Sequence, residues 1–442
     1  MAKKEDNEDL KNLLGLLTRF QEIELEDVEM EIGDLELWLQ GGVGGSPAQE
    51  LALRGLLEFL NAAESGIASA KRLIAGRGVV PRTLTPSAVI PRTQKIAPPV
   101  AAKPSTLLQA DFISPVEEYS GQIVEVTLGA TKSEGGTRGK TITIGGEKAP
   151  AFYLFEASTP NPPVISLDVF DTPIPLAKPV KMHVKEVLED PAAWAKLAVD
   201  KYGADLVTLH LISIDPFVKD TPPNEAVKTV EDVLQAVDVP LIIGGCGDPK
   251  KDLEVFEKVA EMGAGERFML SSVTQDMDVE RTCAAAKKHG HVVLSFTPMD
   301  LNQARQLNRR LYDFLPKEQI IMDTTTAALG YGLDYAFTIM ERARLAALMG
   351  DPELQHPMSS GTTNAWAARE AWKKMDPQWG PREYRGPMWE TVTAITLLLA
   401  GVDLFMMMHP AAVKTLKDLI NVFTSGKSGD PEKIADWVTA KI

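Results

Sequence analysis

Apolar residues fall into two regimes along this chain, and they change near residue 110. Leu10, Leu13, Leu14, Leu17 and Phe20 recur at helical spacing. The segments that follow, Ile23-Glu-Leu-Glu and Glu29-Met-Glu-Ile, alternate apolar with acidic residues, which predicts acidic-faced strands. A flexible joint, Gly41-Gly-Val-Gly-Gly, leads into a helical stretch over 51–73. Prolines then recur from 77 to 105, the composition of an extended, semi-rigid tether. We therefore divide the chain into an acidic extension (1–76), a Pro-rich linker (77–110), a main domain (111–424) and a C-terminal tail (425–442). The extension reads equally as a docking module or as a poorly ordered acidic tail.

The main domain opens with hairpin-like alternation, Ile123-Val-Glu-Val-Thr-Leu and Thr141-Ile-Thr-Ile, on either side of a glycine-rich turn. Short apolar runs then predict strands over 164–170, 205–211, 241–245, 268–271, 292–296, 320–323, 357–360 and 404–408. Helical patterns fill the gaps. Val227, Val230, Val233, Leu234 and Val237, for example, form one apolar stripe. Strands this apolar suit a parallel sheet covered by crossover helices. Eight strand–helix units predict a closed α/β fold, a (β/α)₈ TIM barrel with a small N-terminal β-hairpin leading into it. No G-x-G-x-x-G follows a strand and opens a helix, so the dinucleotide fingerprint is missing. In such a barrel, functional residues gather where strands end and the next loops begin.

Charge and cysteine content narrow the chemistry. Forty-six basic against 61 acidic residues give a net charge of −15, which argues against a nucleic-acid partner. Two cysteines, Cys246 and Cys283, cannot by themselves ligate a four-thiolate cluster. The start, MAKKEDNEDLKNLL, has no apolar signal-peptide core. The most apolar window, 394–408, is broken by Gly401 and Asp403 and is too short to span a bilayer. A soluble, cytoplasmic protein with no membrane partner is expected.

Each short motif also has a simpler structural role. Glu134-Gly-Gly-Thr-Arg-Gly-Lys140-Thr141 lacks the first glycine of a phosphate loop and precedes a strand rather than a helix, so a tight hairpin turn is expected. Gly244-Gly245-Cys246-Gly247 ends the third strand, where glycines let a bulky ligand approach or simply tighten a loop, and Asp248-Pro249 suits an N-cap. The sharper signals are two neighbouring strand exits. One carries Asp323, Thr324, Thr325, Thr326 and Gly330, and the other Ser359, Gly361, Thr362, Thr363 and Asn364. A carboxylate, hydroxyls, an amide and open backbone suit a large polar ligand with many amide groups. His409 ends the eighth strand, after Met406 to Met408, which read as barrel core. His210 lies within the second strand and reads as packing. No nucleophilic triad, no H-E-x-x-H and no D-x-H-x-x-G corrinoid motif is present.

Those strand exits also carry a resemblance. The stretches LGATKSEGGTRGKTITIGGEKAPAFY (128–153), ADLVTLHLISIDPFVKDTP (204–222) and VEDVLQAVDVPLIIGGCGDPKKD (230–252) resemble the delta subunits of archaeal-type acetyl-CoA decarbonylase/synthase complexes. The likeness continues in order through IIMDTTTAALGYGLDYAFTIMERARLAALMGD (320–351), PMSSGTTNAWAAREAW (357–372), GPREYRGPMWETVT (380–393) and DLFMMMHP (403–410). Delta subunits are equivalent to the small subunit of the corrinoid iron–sulfur protein. The resemblance implies a barrel subunit in a heterodimer with a larger gamma-type subunit, a corrinoid held between them, and a 4Fe–4S cluster on that partner rather than on this chain. The pair would shuttle a methyl group between a tetrahydropterin methyltransferase and the nickel–iron acetyl-CoA synthase. It implies no acid, base or nucleophile here. The expected corrinoid or partner contacts are the ten residues named above at the two exits together with His409, chosen by their position on the rim. Two alternatives remain: a pterin-dependent methyltransferase using Asp323 or Asn364, and a structural subunit that meets only protein.

Overall fold

The computed structural model describes residues 116–425. The predicted extension, the whole Pro-rich linker, 111–115 of the main domain and the tail beyond Ser425 lie outside the described residues. Two short strands, β1 (Val126–Leu128) and β2 (Ile142–Ile144), pair antiparallel. Eight parallel strands follow: β3 (Val164–Phe170), β4 (Leu206–His210), β5 (Leu241–Gly244), β6 (Met269–Val273), β7 (Val292–Phe296), β8 (Ile320–Asp323), β9 (Ser359–Gly361) and β10 (Leu404–Met407). They are ordered β8-β7-β6-β5-β4-β3-β10-β9. A parallel bridge between Met322 and Met358 joins β8 to β9, so the sheet curls round to meet itself as a TIM barrel. All eight predicted barrel strands are present, within about two residues at their ends.

Parallel strands need crossovers, and helices supply them. Between β3 and β4 lie α1 (Lys178–Val184) and α2 (Pro191–Asp200). Then come α3 (Pro223–Ala236), α4 (Pro249–Met262), α5 (Val279–His289), α6 (Leu301–Tyr312) and α7 (Leu333–Leu348), one after each strand. After β9 come the one-turn α8 (Arg369–Trp372) and the long α9 (Arg382–Leu399), and α10 (Pro410–Ser425) follows β10. Asp248 caps α4 as expected, accepting from the amides of Lys250 and Lys251 with Pro249 at the first position. Among the described residues no helix is long and apolar enough to cross a membrane.

The core has two compartments. Outward-facing strand residues pack against the helices, where Val230, Val233, Val255, Phe256 and Leu307 are wholly buried. Inward-facing Leu206, Ile242, Met269, Val292, Leu294, Ile321 and Leu404 form a second cluster with Val126, Leu128, Ile142 and Ile144 of the hairpin. The hairpin is thus a plug for the N-terminal end of the barrel. It is not a tight turn. The connection over 129–141 contains a single 3-10 turn, Lys132–Glu134, and Arg138 pins it by pairing with Glu266 at 2.9 Å and donating to the Leu234 and Val237 carbonyls. A second buried cation, Arg344 of α7, ties the plug to the barrel. It pairs with Glu147 at 2.8 Å and Asp403 at 2.6 Å, and also donates to the Gly401 carbonyl.

Candidate functional site at the C-terminal mouth of the barrel

Above the apolar plug, the inward face turns polar. Ser166 and Thr208 share a hydrogen bond of 2.7 Å, which satisfies two hydroxyls that water cannot reach. At the exit of β8, Asp323 is buried, with its Oδ1 accepting from the Thr325 amide at 2.7 Å. Burial pushes its carboxyl up to about 7, against the opposing pull of the Thr325 and Gly361 amides. Thr325 pays for this turn with a left-handed φ of 74° and anchors its hydroxyl on the Thr297 carbonyl at 2.8 Å. Thr326, Ser360 and Thr362 form a chain of hydroxyls at 2.9 Å each. Asn364 donates to the Thr326 carbonyl at 2.9 Å, and the Tyr331 hydroxyl donates to the Asn364 carbonyl. The two predicted strand exits are therefore laced together across the β8–β9 seam.

That lacing changes the role of several candidates. Thr325, Thr326, Ser360 and Thr362 spend their hydroxyls on the protein itself. The buried Thr324 and Ser359 hydroxyls have no partner, and Ser359 shares the register of inward-facing Leu404. Gly330 and Asn364 are exposed and Thr363 is half-buried. Gly361 is the open point of the mouth: a Cβ built there would meet only the Asn364 Nδ2, at 3.7 Å.

His409 is not on an open rim. It is 4% exposed, lies edge-on to His183 at 4.8 Å and stacks with Trp366 at 5.9 Å. Burial, then the nearby His183, holds its ring down at about 3. Nδ1 accepts from the Ala411 amide at 3.1 Å, which places the ring proton on Nε2. Beneath it the wholly buried Glu390 of α9 accepts from the amides of Met408 (2.6 Å) and His409 (2.9 Å), and burial pushes its carboxyl up to about 8. His409 stacks on Trp366, which follows Thr362, Thr363 and Asn364 in the same 3-10 segment.

The sequence reading missed two groups at the mouth. Asp168, on β3, accepts from the Thr363 hydroxyl at 2.6 Å, and its other oxygen lies 3.3 Å from Nε2 of His210. Register puts both on the inward face, yet a lone Asp and a lone His inside strands carried no spacing signal. The Gly244–Gly245 pair makes room for protein: added Cβ atoms would come within 2.8 Å of His210 and 2.3 Å of Asp252. His291 and His356 are structural. His291 bridges the Phe268 amide and Ala260 carbonyl, and His356 binds the Tyr312 hydroxyl. Met406 and Met407 are core, as expected. Among the described residues no group of three His, Cys, Asp or Glu could hold a metal ion. Burial pushes both thiols up to about 12, so neither is a thiolate near neutral pH.

A polar, interlaced mouth with no nucleophile is a geometry many barrels could share, and comparison with known proteins decides among them. Residues 125–375 match the model of the CO dehydrogenase/acetyl-CoA synthase delta subunit family. This chain belongs to that family. It is 50% identical to the acetyl-CoA decarbonylase/synthase complex subunit delta of Archaeoglobus fulgidus, over 98% of this chain and 99% of the relative. The Methanosarcina mazei subunit delta is 47% identical over the full length of both chains. That of Methanopyrus kandleri is 51% identical over 70% of this chain and 78% of its own. As a member of the delta-subunit family, this chain is similar throughout its length to proteins that work as parts of an assembly. Among solved structures, a dihydropteroate synthase from Xanthomonas albilineans in complex with 7,8-dihydropteroate overlays 61% of this chain and 95% of its own, at 16% identity and a TM-score of 0.42.

Proposed function

We propose that this delta-subunit family member is the corrinoid-cradling half of a methyl-carrying heterodimer, paired with a gamma-type large subunit. The observation that supports it best is the mouth itself: an open glycine, Gly361, among neutral hydroxyls, an amide and a carboxyl held near neutrality. These residues fit a macrocycle fringed with carboxamides, which needs neutral donors and acceptors rather than charges. A 4Fe–4S cluster does not fit this chain, whose two thiols cannot supply four ligands, and it belongs on the partner in this reading. When bound, the corrinoid supplies the cobalt chemistry that takes a methyl group from a methyl-tetrahydropterin and hands it to the nickel–iron site of acetyl-CoA synthase.

The chain's own residues bind and enclose. Gly361, Thr363, Asn364 and Gly330 offer surface and polar atoms at the mouth. Asp323, Thr325, Thr326, Ser360 and Thr362 stiffen the two loops, so the mouth keeps its shape without a ligand to organise it. The plug behind them closes the barrel to water from below. His409 and Glu390 buttress the β10 exit. Contacts with the methyltransferase and with acetyl-CoA synthase would be transient.

Gly361→Trp tests the proposal, because φ at Gly361 is −74° and the Cβ has space, so the indole fills the mouth without straining the fold. The variant and wild type, co-purified with the gamma-type partner under anoxic conditions, are compared for cobalt per heterodimer. A fall of about tenfold or more with the heterodimer intact supports corrinoid cradling. Full cobalt with an intact heterodimer overturns it and leaves a structural subunit. If the purified chain alone moves a methyl group from methyl-tetrahydropterin to free cobalamin, it is instead a pterin-dependent methyltransferase.

A further inference from the structure

Asp168 and His210 play no part in the reading above, and their geometry suggests one. Asp168 is 3% exposed, and the Thr363 hydroxyl holds one of its oxygens at 2.6 Å. The other oxygen lies 3.3 Å from His210 Nε2, and both of those buried atoms lack a hydrogen-bond partner. A carboxylate can only accept, so its nearness favours a neutral ring with the proton on Nε2. Nδ1 then carries a lone pair. The ring stacks on Phe170 at 5.0 Å, nearly parallel at 18°. Its Nδ1 edge lies over Gly244, where any side chain would come within 2.8 Å. The imidazole thus has a carboxylate beside Nε2 and is held in orientation by a face and a glycine, and 24% of its side chain is still exposed. Packing alone asks for none of this, since a ring held only as filler needs neither a carboxylate beside Nε2 nor an exposed edge.

We infer that His210 presents Nδ1 as a hydrogen-bond acceptor to an amide N–H of the group bound over the barrel mouth, with Asp168 and Thr363 as positioning residues. This rests on the corrinoid reading, in which the donor is a carboxamide at the edge of the macrocycle.

Three variants are made in the heterodimer with the gamma-type partner. Each is scored by cobalt retained on dialysis and by ¹⁵N resonances of labelled histidine, which report the tautomer. His210→Ala removes the acceptor, and retention should weaken about tenfold, the loss of one well-placed hydrogen bond. His210→Asn puts an amide oxygen near the position of Nδ1 and should hold cobalt within about threefold of wild type. Asp168→Asn offers Nε2 a donor instead of an acceptor. The ring should then carry its proton on Nδ1, and retention should fall as far as in His210→Ala although the ring is still there. If His210→Ala fails to assemble, the Asn pair decides. Asp168→Asn reversing the tautomer with cobalt unchanged overturns the inference, as does His210→Asn losing as much as His210→Ala. Should Gly361→Trp expel cobalt while these variants retain it, this inference fails alone. Should Gly361→Trp retain it, both fail.

Discussion

Replacing Asp323 by asparagine should make the protein gain stability over wild type as pH rises. The unfolded chain releases this proton near the ordinary aspartate value, about 3.9. The folded protein keeps it up to about 7, because the carboxyl is buried among hydroxyls and backbone and has no cation beside it. Between those values the folded state holds a proton that the unfolded state has lost, so wild-type stability falls as pH increases. Each unit is worth about 1.4 kcal/mol, which is about 4 kcal/mol over the whole interval and about 2–3 kcal/mol between about pH 5 and about pH 7. Asparagine mimics the neutral acid and does not titrate. Every other group titrates alike in both proteins, so the difference between them isolates Asp323. Reorienting the amide against the Thr325 N–H adds a constant offset and leaves the slope untouched. Urea unfolding followed by tryptophan fluorescence, repeated at several pH values, measures it. Parallel curves for the two proteins would refute the claim that burial governs this carboxyl. A gain for wild type with rising pH would show that an unrecognised cation stabilises the charged form.

Glu390→Gln should carry a cost of its own, because each Glu390 oxygen accepts a separate amide and glutamine has only one acceptor. One of the Met408 and His409 amides is left unpaired, at a cost of about 1–3 kcal/mol below about pH 7, read by thermal or urea unfolding. Arg344→Met should destabilise by about 3–5 kcal/mol, since it leaves the buried Glu147 and Asp403 facing each other without their cation. A loss under about 1 kcal/mol would show that the plug does not depend on that network. Both cysteines should resist iodoacetamide near neutral pH, with thiols pushed up to about 12, and Cys283 should react only on unfolding. Rapid labelling of Cys283 in the folded protein would contradict its burial.

Local pattern was enough to place the barrel. Runs such as Val292-Val-Leu-Ser-Phe are short, apolar and bounded by polar or glycine residues, and a strand buried on both faces can look like little else at that length. The same locality limits what pattern reveals about the site. Thr324 and Thr325 are neighbours in one motif, yet one hydroxyl is orphaned and the other is bound to the Thr297 carbonyl. His409 looks like a rim residue because it ends a strand, and His183 and Trp366 enclose it from distant parts of the chain. Asp168, His210 and Thr363 are separated by up to 195 positions and share no spacing that marks them as a unit.

By itself the sequence determined which segments become strands and helices, the sense in which the strands are joined, and the two exits where polar residues collect. It also showed the family likeness, in motifs long enough to be read in order. Tertiary structure alone decided which of those polar groups are spent on one another and which remain open, that the hairpin closes the bottom of the barrel, and that a histidine read as packing stands beside a buried carboxylate. The reason is range. Periodicity is set by backbone geometry over a few residues, whereas exposure, pairing and the proton affinity of a buried acid depend on neighbours brought together by closing an eight-stranded ring.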